Sequence, residues 1–131
     1  MKKLLIILFI SLINIINSQD EIRLALVIGN ANYDKAALKN PVNDAALMKQ
    51  TLEKLNFDVI YAINLELDRD MKSKIREFGK KRREYDVGFV YYAGHGVQVK
   101  GDNYLLPTKE NFNCEDDVLA VSYTHLTLPT N

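Results

Sequence analysis

The chain has 131 residues, enough for one small domain, and its 47% hydrophobic and 26% charged residues are typical of a globular protein. Seventeen basic residues balance seventeen acidic ones, so charge gives no reason to expect a nucleic acid as a partner. Cys114 is the only cysteine, which excludes a disulfide within the chain and a metal site built on thiolates.

The first eighteen residues have the pattern of a signal peptide. Two lysines precede an apolar run from Leu4 to Ile16, and Ser18 then offers a small residue for cleavage. A buried N-terminal strand or helix would need neither the lysines nor the polar exit. The run is also shorter than the roughly 20 residues that span a bilayer. We therefore expect residues 1–18 to be removed and the protein to be exported to the periplasm or secreted, with no stable membrane association.

The next segment alternates between patterns typical of strands and of helices. Continuous apolar runs predict three strands, the last the most apolar, and apolar residues spaced by three and four predict two amphipathic helices. The strands are expected near 23–28, 57–62 and 86–93, and the helices near 41–55 and 67–84. Asn40 is the predicted N-cap of the first helix, with Pro41 in its first turn. This order predicts an α/β fold with a mostly parallel sheet.

Two shorter features complete the pattern. Residues 96–106 alternate about Lys100-Gly101-Asp102, which predicts a small hairpin. The basic run Lys80 to Arg83 could be read as a patch for nucleic acid or membrane. We interpret it instead as the solvated end of the second helix, where cations complement the helix dipole.

One histidine has a setting that suits catalysis. Gly94-His95-Gly96 directly follows the third strand, and the carboxyl ends of parallel strands are where catalytic groups gather. Flanking glycines leave the imidazole uncrowded and let a substrate backbone approach, and the Gly96 N–H could face a developing oxyanion. A turn histidine with glycines for tight geometry is the alternative. No phosphate-binding glycine motif and no cofactor motif is present.

Three stretches in sequence resemble the large-subunit (p20) part of caspases, metacaspases and bacterial caspase-like cysteine peptidases, family C14. They are LALVIGNANY from Leu24, LKNPVNDA from Leu38, and VGFVYYAGHGVQVKGDNYLLP from Val87. The resemblance implies a caspase-like three-layer sandwich, of which residues 23–120 are the N-terminal part. It also implies a cysteine endopeptidase with a polypeptide substrate, in which His95 is the catalytic histidine and Gly96 contributes to the oxyanion hole.

The resemblance does not carry over to the nucleophile. In that family the cysteine ends the next strand, in a motif such as Asp-x-Cys-Arg. Cys114 lies only nineteen residues after His95, beside Glu115, Asp116 and Asp117, and neighbouring carboxylates disfavour a thiolate. We therefore expect Cys114 to be a loop cysteine, the nucleophile to be missing from this sequence, and the chain by itself to be inactive.

The last residues follow no pattern of this fold. Residues 121–130 are similar to the translation, in one frame, of a transposase mosaic-end sequencing adapter, which also permits Ala120 and Asn131. We interpret residues 121–131 as an assembly artefact rather than as a β-like tail, and assign no role to His125.

Two other functions fit parts of the pattern. An inactive caspase-like domain would keep the fold, lose the dyad and act as a binding or regulatory module. A receiver-like or flavodoxin-like domain would have no need of His95. The resemblance permits either acidic or basic P1 residues in the substrate. Asp34 and Asp44 could line a pocket for a basic P1 side chain, although surface-loop carboxylates are more common. Nothing in the sequence determines the oligomeric state.

Overall fold

A computed structural model describes residues 21–109. The elements, in chain order, are β1 Arg23–Gly29, α1 Pro41–Lys54, β2 Phe57–Ile63, α2 Asp68–Lys81, a 3₁₀ turn Arg82–Glu84, β3 Val87–Ala93, β4 Gly96–Val99 and β5 Asp102–Leu105. The predicted signal peptide, Cys114 and the tail at 121–131 lie outside the described residues.

The three long strands form a parallel sheet in the order β2-β1-β3, as predicted. β1 is central because it is apolar on both sides. Its even-numbered residues, such as Leu26, pack with α2 on one face, and its odd-numbered residues, such as Val27, pack with α1 on the other. The result is the predicted α/β fold of three layers, helix on sheet on helix.

The ends of the helices differ slightly from the predictions. Asn40 is the N-cap residue of α1 and Pro41 lies in its first turn, as predicted, but the Asn40 side chain makes no capping hydrogen bond. α2 begins with a better-defined contact, in which the Leu67 N–H donates to the Asp70 carboxylate at 3.1 Å. α2 ends at Lys81 rather than near 84, because the chain tightens into the 3₁₀ turn before β3. Neither helix within residues 21–109 is long and apolar enough to cross a membrane.

β3 differs most from its sequence pattern. Although its sequence is largely apolar, it lies at the edge of the sheet, and Phe89 is 38% exposed. One side of β3 pairs with β1, and no strand of the described part of the chain pairs with the other side. Such an edge presents backbone N–H and C=O groups to whatever lies beside it.

The predicted hairpin forms after β3, as a separate antiparallel pair. Val99 pairs with Asp102 across a two-residue turn in which Lys100 and Gly101 both have positive φ. That combination is typical of the tight turns that match the twist of hairpin strands. The hairpin brings the chain back to the carboxyl ends of the parallel strands, where residues 106–109 meet the loops after β1 and β2.

Candidate active site

A cleft of about 300 Å³ opens at the carboxyl ends of β1 and β3. Its position follows from the register of the sheet, since Gly29 at the end of β1 pairs with Ile63 of β2 and Ala93 of β3. The loops after β1 and β3 therefore begin at the same level. Both predicted site residues, His95 and Gly96, line the cleft, together with Tyr33, Asp34, Lys35, Ala36, Val97, Leu106, Pro107 and Thr108.

The His95 imidazole is held by a backbone carbonyl. Its Nε2 lies 2.7 Å from the Ala36 oxygen. A carbonyl can only accept, so Nε2 carries the proton, and in the neutral ring Nδ1 is left as the proton acceptor. Ala36 has φ of 61°, a left-handed conformation that costs a non-glycine residue about 1–3 kcal/mol and that is concentrated at functional sites.

The backbone of His95 is held by two tyrosines. Its N–H donates to the Tyr33 hydroxyl at 2.8 Å, and the Tyr33 ring meets the imidazole edge-on with centroids 4.4 Å apart. Its carbonyl accepts from the Leu106 N–H at 3.0 Å and lies 2.8 Å from the Tyr92 hydroxyl. Both peptide groups that flank the His95 Cα are therefore hydrogen-bonded.

The two tyrosine hydroxyls also contact each other, at 3.1 Å. Burial raises the pKa of both phenols above the usual tyrosine value, and the rise is much larger for Tyr92. Both hydroxyls are consequently neutral at physiological pH. Each can donate one hydrogen bond and still accept others, which the contacts to His95 require.

Asn30 joins three segments beneath the cleft and is completely buried. Its backbone N–H donates to the Ala93 carbonyl at 2.8 Å, its Oδ1 accepts from the Leu65 N–H at 3.0 Å, and its Nδ2 donates to the Leu106 carbonyl at 3.1 Å. These contacts connect β3, the loop after β2 and the end of the hairpin. Asn30 thus fixes the floor on which the cleft is built.

The two glycines beside His95 have different roles. A Cβ on Gly94 would lie 2.5 Å from the Tyr92 hydroxyl and 2.6 Å from that of Tyr33. Gly94 therefore makes room for the tyrosine hydroxyls of the protein itself. The sequence had instead predicted that Gly94 makes room for a substrate backbone. Gly96 lines the cleft itself, where a Cβ would meet only the Tyr104 carbonyl, at 3.2 Å.

The hairpin determines the direction of the Gly96 N–H. Antiparallel pairs alternate between hydrogen-bonded and non-hydrogen-bonded types. The bond from Leu106 to the His95 carbonyl places those two residues in the first type, so Gly96 and Leu105 form the second. The Gly96 N–H therefore points away from β5.

The two predicted pocket carboxylates are separated. Asp34 lines the cleft and forms an ion pair with Lys109, with 2.7 Å between Oδ1 and Nζ. Asp44 lies exposed in the first turn of α1 and does not line the cleft. The Asp34 carboxylate raises the pKa of the Lys109 ammonium by accepting its hydrogen bond. Within residues 21–109, no three His, Cys, Asp or Glu side chains are placed to hold a metal ion.

The sequence predicted His95 and Gly96 as site residues, and both line the cleft, but it gave no prediction for the contacts made there by Asn30, Tyr33, Ala36 and Tyr92. A signal exists for two of them. Asn30 is a polar residue directly after a strand buried on both faces, and Tyr92 carries a hydroxyl inside the apolar run of β3. Buried polar groups of this kind require partners. Ala36 has no such signal, because only its backbone takes part.

The sequence matches a known family of domains and several proteins that are similar to it. Residues 22–122 match the Peptidase_C14 caspase domain model. The chain is 30% identical over 107 residues to mucosa-associated lymphoid tissue lymphoma translocation protein 1 of Homo sapiens, covering 76% of this chain and 13% of that protein. It is 30% identical over 105 residues to caspase-1 of Felis catus, covering 78% of this chain and 24% of that protein. It thus spans less than a quarter of the length of these relatives. These matches show that the chain belongs to the caspase domain family of C14 peptidases.

Proposed function

We propose that this chain is the histidine-bearing part of a cysteine endopeptidase that cleaves polypeptides with a His/Cys dyad. The main support for the proposal is the hydrogen bond from His95 Nε2–H to the Ala36 carbonyl, at the rim of the cleft. This contact reserves Nδ1 for proton transfer. Family membership supports a peptidase role, and the alternative is a caspase-like domain that has lost its nucleophile and acts by binding.

In the proposed reaction, Nδ1 of His95 takes the proton of a cysteine thiol, and the thiolate sulfur attacks the peptide carbonyl carbon. The Gly96 N–H donates to the resulting oxyanion. The imidazolium then gives its proton to the departing amine nitrogen as the C–N bond breaks, leaving a thioester. A water molecule then attacks the thioester carbonyl carbon and gives one proton to Nδ1. The C–S bond breaks, the carboxylic acid leaves, and the imidazolium returns its proton to the departing thiolate, which restores the thiol and the neutral ring.

The nucleophile is proposed to come from a strand beyond the sequence in hand. The outer side of β3 has no strand partner among residues 21–109. A parallel strand there would lie about 4.8 Å from β3, with its carboxyl end at the level of His95. Cys114 is not proposed as the nucleophile, because three carboxylates follow it directly in sequence.

The test is His95→Ala in the full-length protein, assayed on arginyl, lysyl and aspartyl peptide substrates. Loss of the proton acceptor should lower kcat/KM by about 10²–10⁴. Stability should change little, because the imidazole makes one hydrogen bond and one ring contact, and a typical hydrogen bond contributes about 0.5–1.5 kcal/mol. Gln98→Ala, an exposed polar truncation on the same hairpin, serves as the control and should retain wild-type activity.

Two outcomes would contradict the proposal. A His95→Ala protein that unfolds, or that retains more than about a tenth of the activity, would make the histidine structural, since general-base catalysis is worth more than that factor. A wild-type full-length protein that cleaves none of the three substrate classes, and that has another residue in place of the cysteine, would support the binding module.

A further inference from the structure

The hairpin pairing ends at Gly96 and Leu105, and the next pair, His95 and Leu106, makes only one of the two bonds that would continue the ladder. Leu106 donates its N–H to the His95 carbonyl, so a regular antiparallel ladder would return a bond from the His95 N–H to the Leu106 carbonyl. The His95 N–H donates instead to the Tyr33 hydroxyl, at 2.8 Å. The Leu106 carbonyl lies within hydrogen-bonding distance of Asn30 Nδ2 and of the Tyr33 and Tyr92 hydroxyls, at 3.0–3.2 Å.

The missing second bond determines where the imidazole lies. A completed ladder would draw the His95 N–H toward the hairpin and rotate the residue about its backbone. With the N–H bound to Tyr33, the ring packs against the same tyrosine and Nε2 reaches the Ala36 carbonyl, 59 residues away in sequence. Tyr33 therefore contacts His95 at two places, with its hydroxyl on the main chain and its ring on the side chain.

We propose that Tyr33 is a positioning residue for the His95 general base, with its hydroxyl keeping the His95 peptide out of the hairpin ladder. This inference rests on the proposed peptidase function. Tyr33 does not contact the reacting atoms in the mechanism above. It acts through His95, by holding the histidine where Nε2 meets Ala36 and Nδ1 is presented to the thiol.

Tyr92 has a weaker role by the same geometry. Its hydroxyl lies 2.8 Å from the His95 carbonyl, but that carbonyl also accepts from the Leu106 N–H at 3.0 Å. Loss of the Tyr92 hydroxyl leaves one of the two bonds in place. Loss of the Tyr33 hydroxyl leaves the His95 N–H free to complete the ladder. The two tyrosines should therefore differ in effect, although both hydroxyls contact the His95 main chain.

The experiment compares Tyr33→Phe with Tyr92→Phe in the full-length enzyme. Tyr33→Phe keeps the packed ring and removes the oxygen, so kcat should fall about 10- to 100-fold with KM nearly unchanged, as expected for a base displaced by about 1 Å. Tyr92→Phe should lower kcat by less than about a third of that factor. The matched control is Tyr85→Phe, which loses a hydroxyl bonded to Asp58 at the opposite end of the sheet and should leave both constants unchanged.

Active-site titration with a thiol-reactive peptide inhibitor separates positioning from folding. If Tyr33 positions His95, the number of titratable sites stays at the wild-type value and the turnover of each site falls. A loss of activity that matches a loss of titratable sites would make Tyr33 merely structural. A Tyr33→Phe enzyme with kcat within twofold of wild type, or with the same loss as Tyr85→Phe, would also overturn the inference. Each of these results would leave the proposed peptidase function intact. An inactive wild-type enzyme would overturn the peptidase function and the role of Tyr33 together.

Discussion

The floor of the cleft depends on one buried side chain, and its removal gives a sharp test of the structure. Asn30→Ala deletes the acceptor of the Leu65 N–H and one donor to the Leu106 carbonyl. The backbone bond from Asn30 to Ala93 remains. The change therefore weakens the contact between the loop after β2 and the end of β1 without altering the strands, because the bonds that Asn64 makes to Gly29, Ala31 and Asn32 remain.

Three side-chain contacts are lost, including that of Asn30 Nδ2 with the Met71 sulfur at 3.7 Å, and the two to backbone groups have unequal costs. The Leu106 carbonyl still has the Tyr33 and Tyr92 hydroxyls as donors, so loss of the bond from Asn30 Nδ2 should cost little stability. The Leu65 N–H, at a partly buried position, is left without its acceptor, and a donor left unsatisfied away from water costs up to about 1–3 kcal/mol. Removal of the amide group also leaves a small void at a fully buried position. Together these effects should lower the free energy of unfolding by about 2–4 kcal/mol.

Urea denaturation of the full-length protein, followed by circular dichroism, measures this loss. Asn32→Ala is the matched control, because Asn32 is exposed and should change stability by less than about 0.5 kcal/mol. Asn30→Asp tests the donor alone. It should be more destabilising at neutral than at acid pH, since only a protonated carboxyl can donate to Leu106. If Asn30→Ala were no more destabilising than Asn32→Ala, the floor of the cleft would not depend on the Asn30 side chain.

Two further predictions concern packing and pH. Gly29→Ala should lower the free energy of unfolding by about 1–3 kcal/mol, because the new Cβ would lie 2.6 Å from the Pro41 carbonyl oxygen. Gly79→Ala should raise it by up to about 1 kcal/mol, because the new Cβ would meet open space beside α2. Urea titrations that gave both changes the same sign would contradict these predictions. Burial raises the pKa values of Tyr33 and Tyr92, so above about pH 10 the unfolded chain loses phenolic protons that the native state retains. Stability should therefore be unaffected by these groups below pH 10 and fall as pH rises further, with a shallower fall in a Tyr33→Phe/Tyr92→Phe variant; an unchanged slope would count against burial as the cause.

The sequence alone was sufficient for the elements and for the position of the histidine. An unbroken apolar run such as β1 can be satisfied only between two layers, and spacings of three and four identify the faces of α1 and α2. His95 follows a predicted parallel strand, and such strands end at a common edge. These are local properties, since the side-chain period of each segment is set by its own backbone geometry.

Tertiary structure decided what surrounds His95. Ala36 presents a backbone oxygen, which has no side-chain signature, and it meets the imidazole only because β1 and β3 are paired in register. The same pairing brings the Tyr33 hydroxyl to the His95 N–H. It also explains why residue 94 is a glycine, since the tyrosine hydroxyls occupy the space that a Cβ would need. The edge position of β3, despite its apolar sequence, also follows from strand order. Contacts between distant loops depend on register and strand order, and neither is written in the periodicity of a single segment.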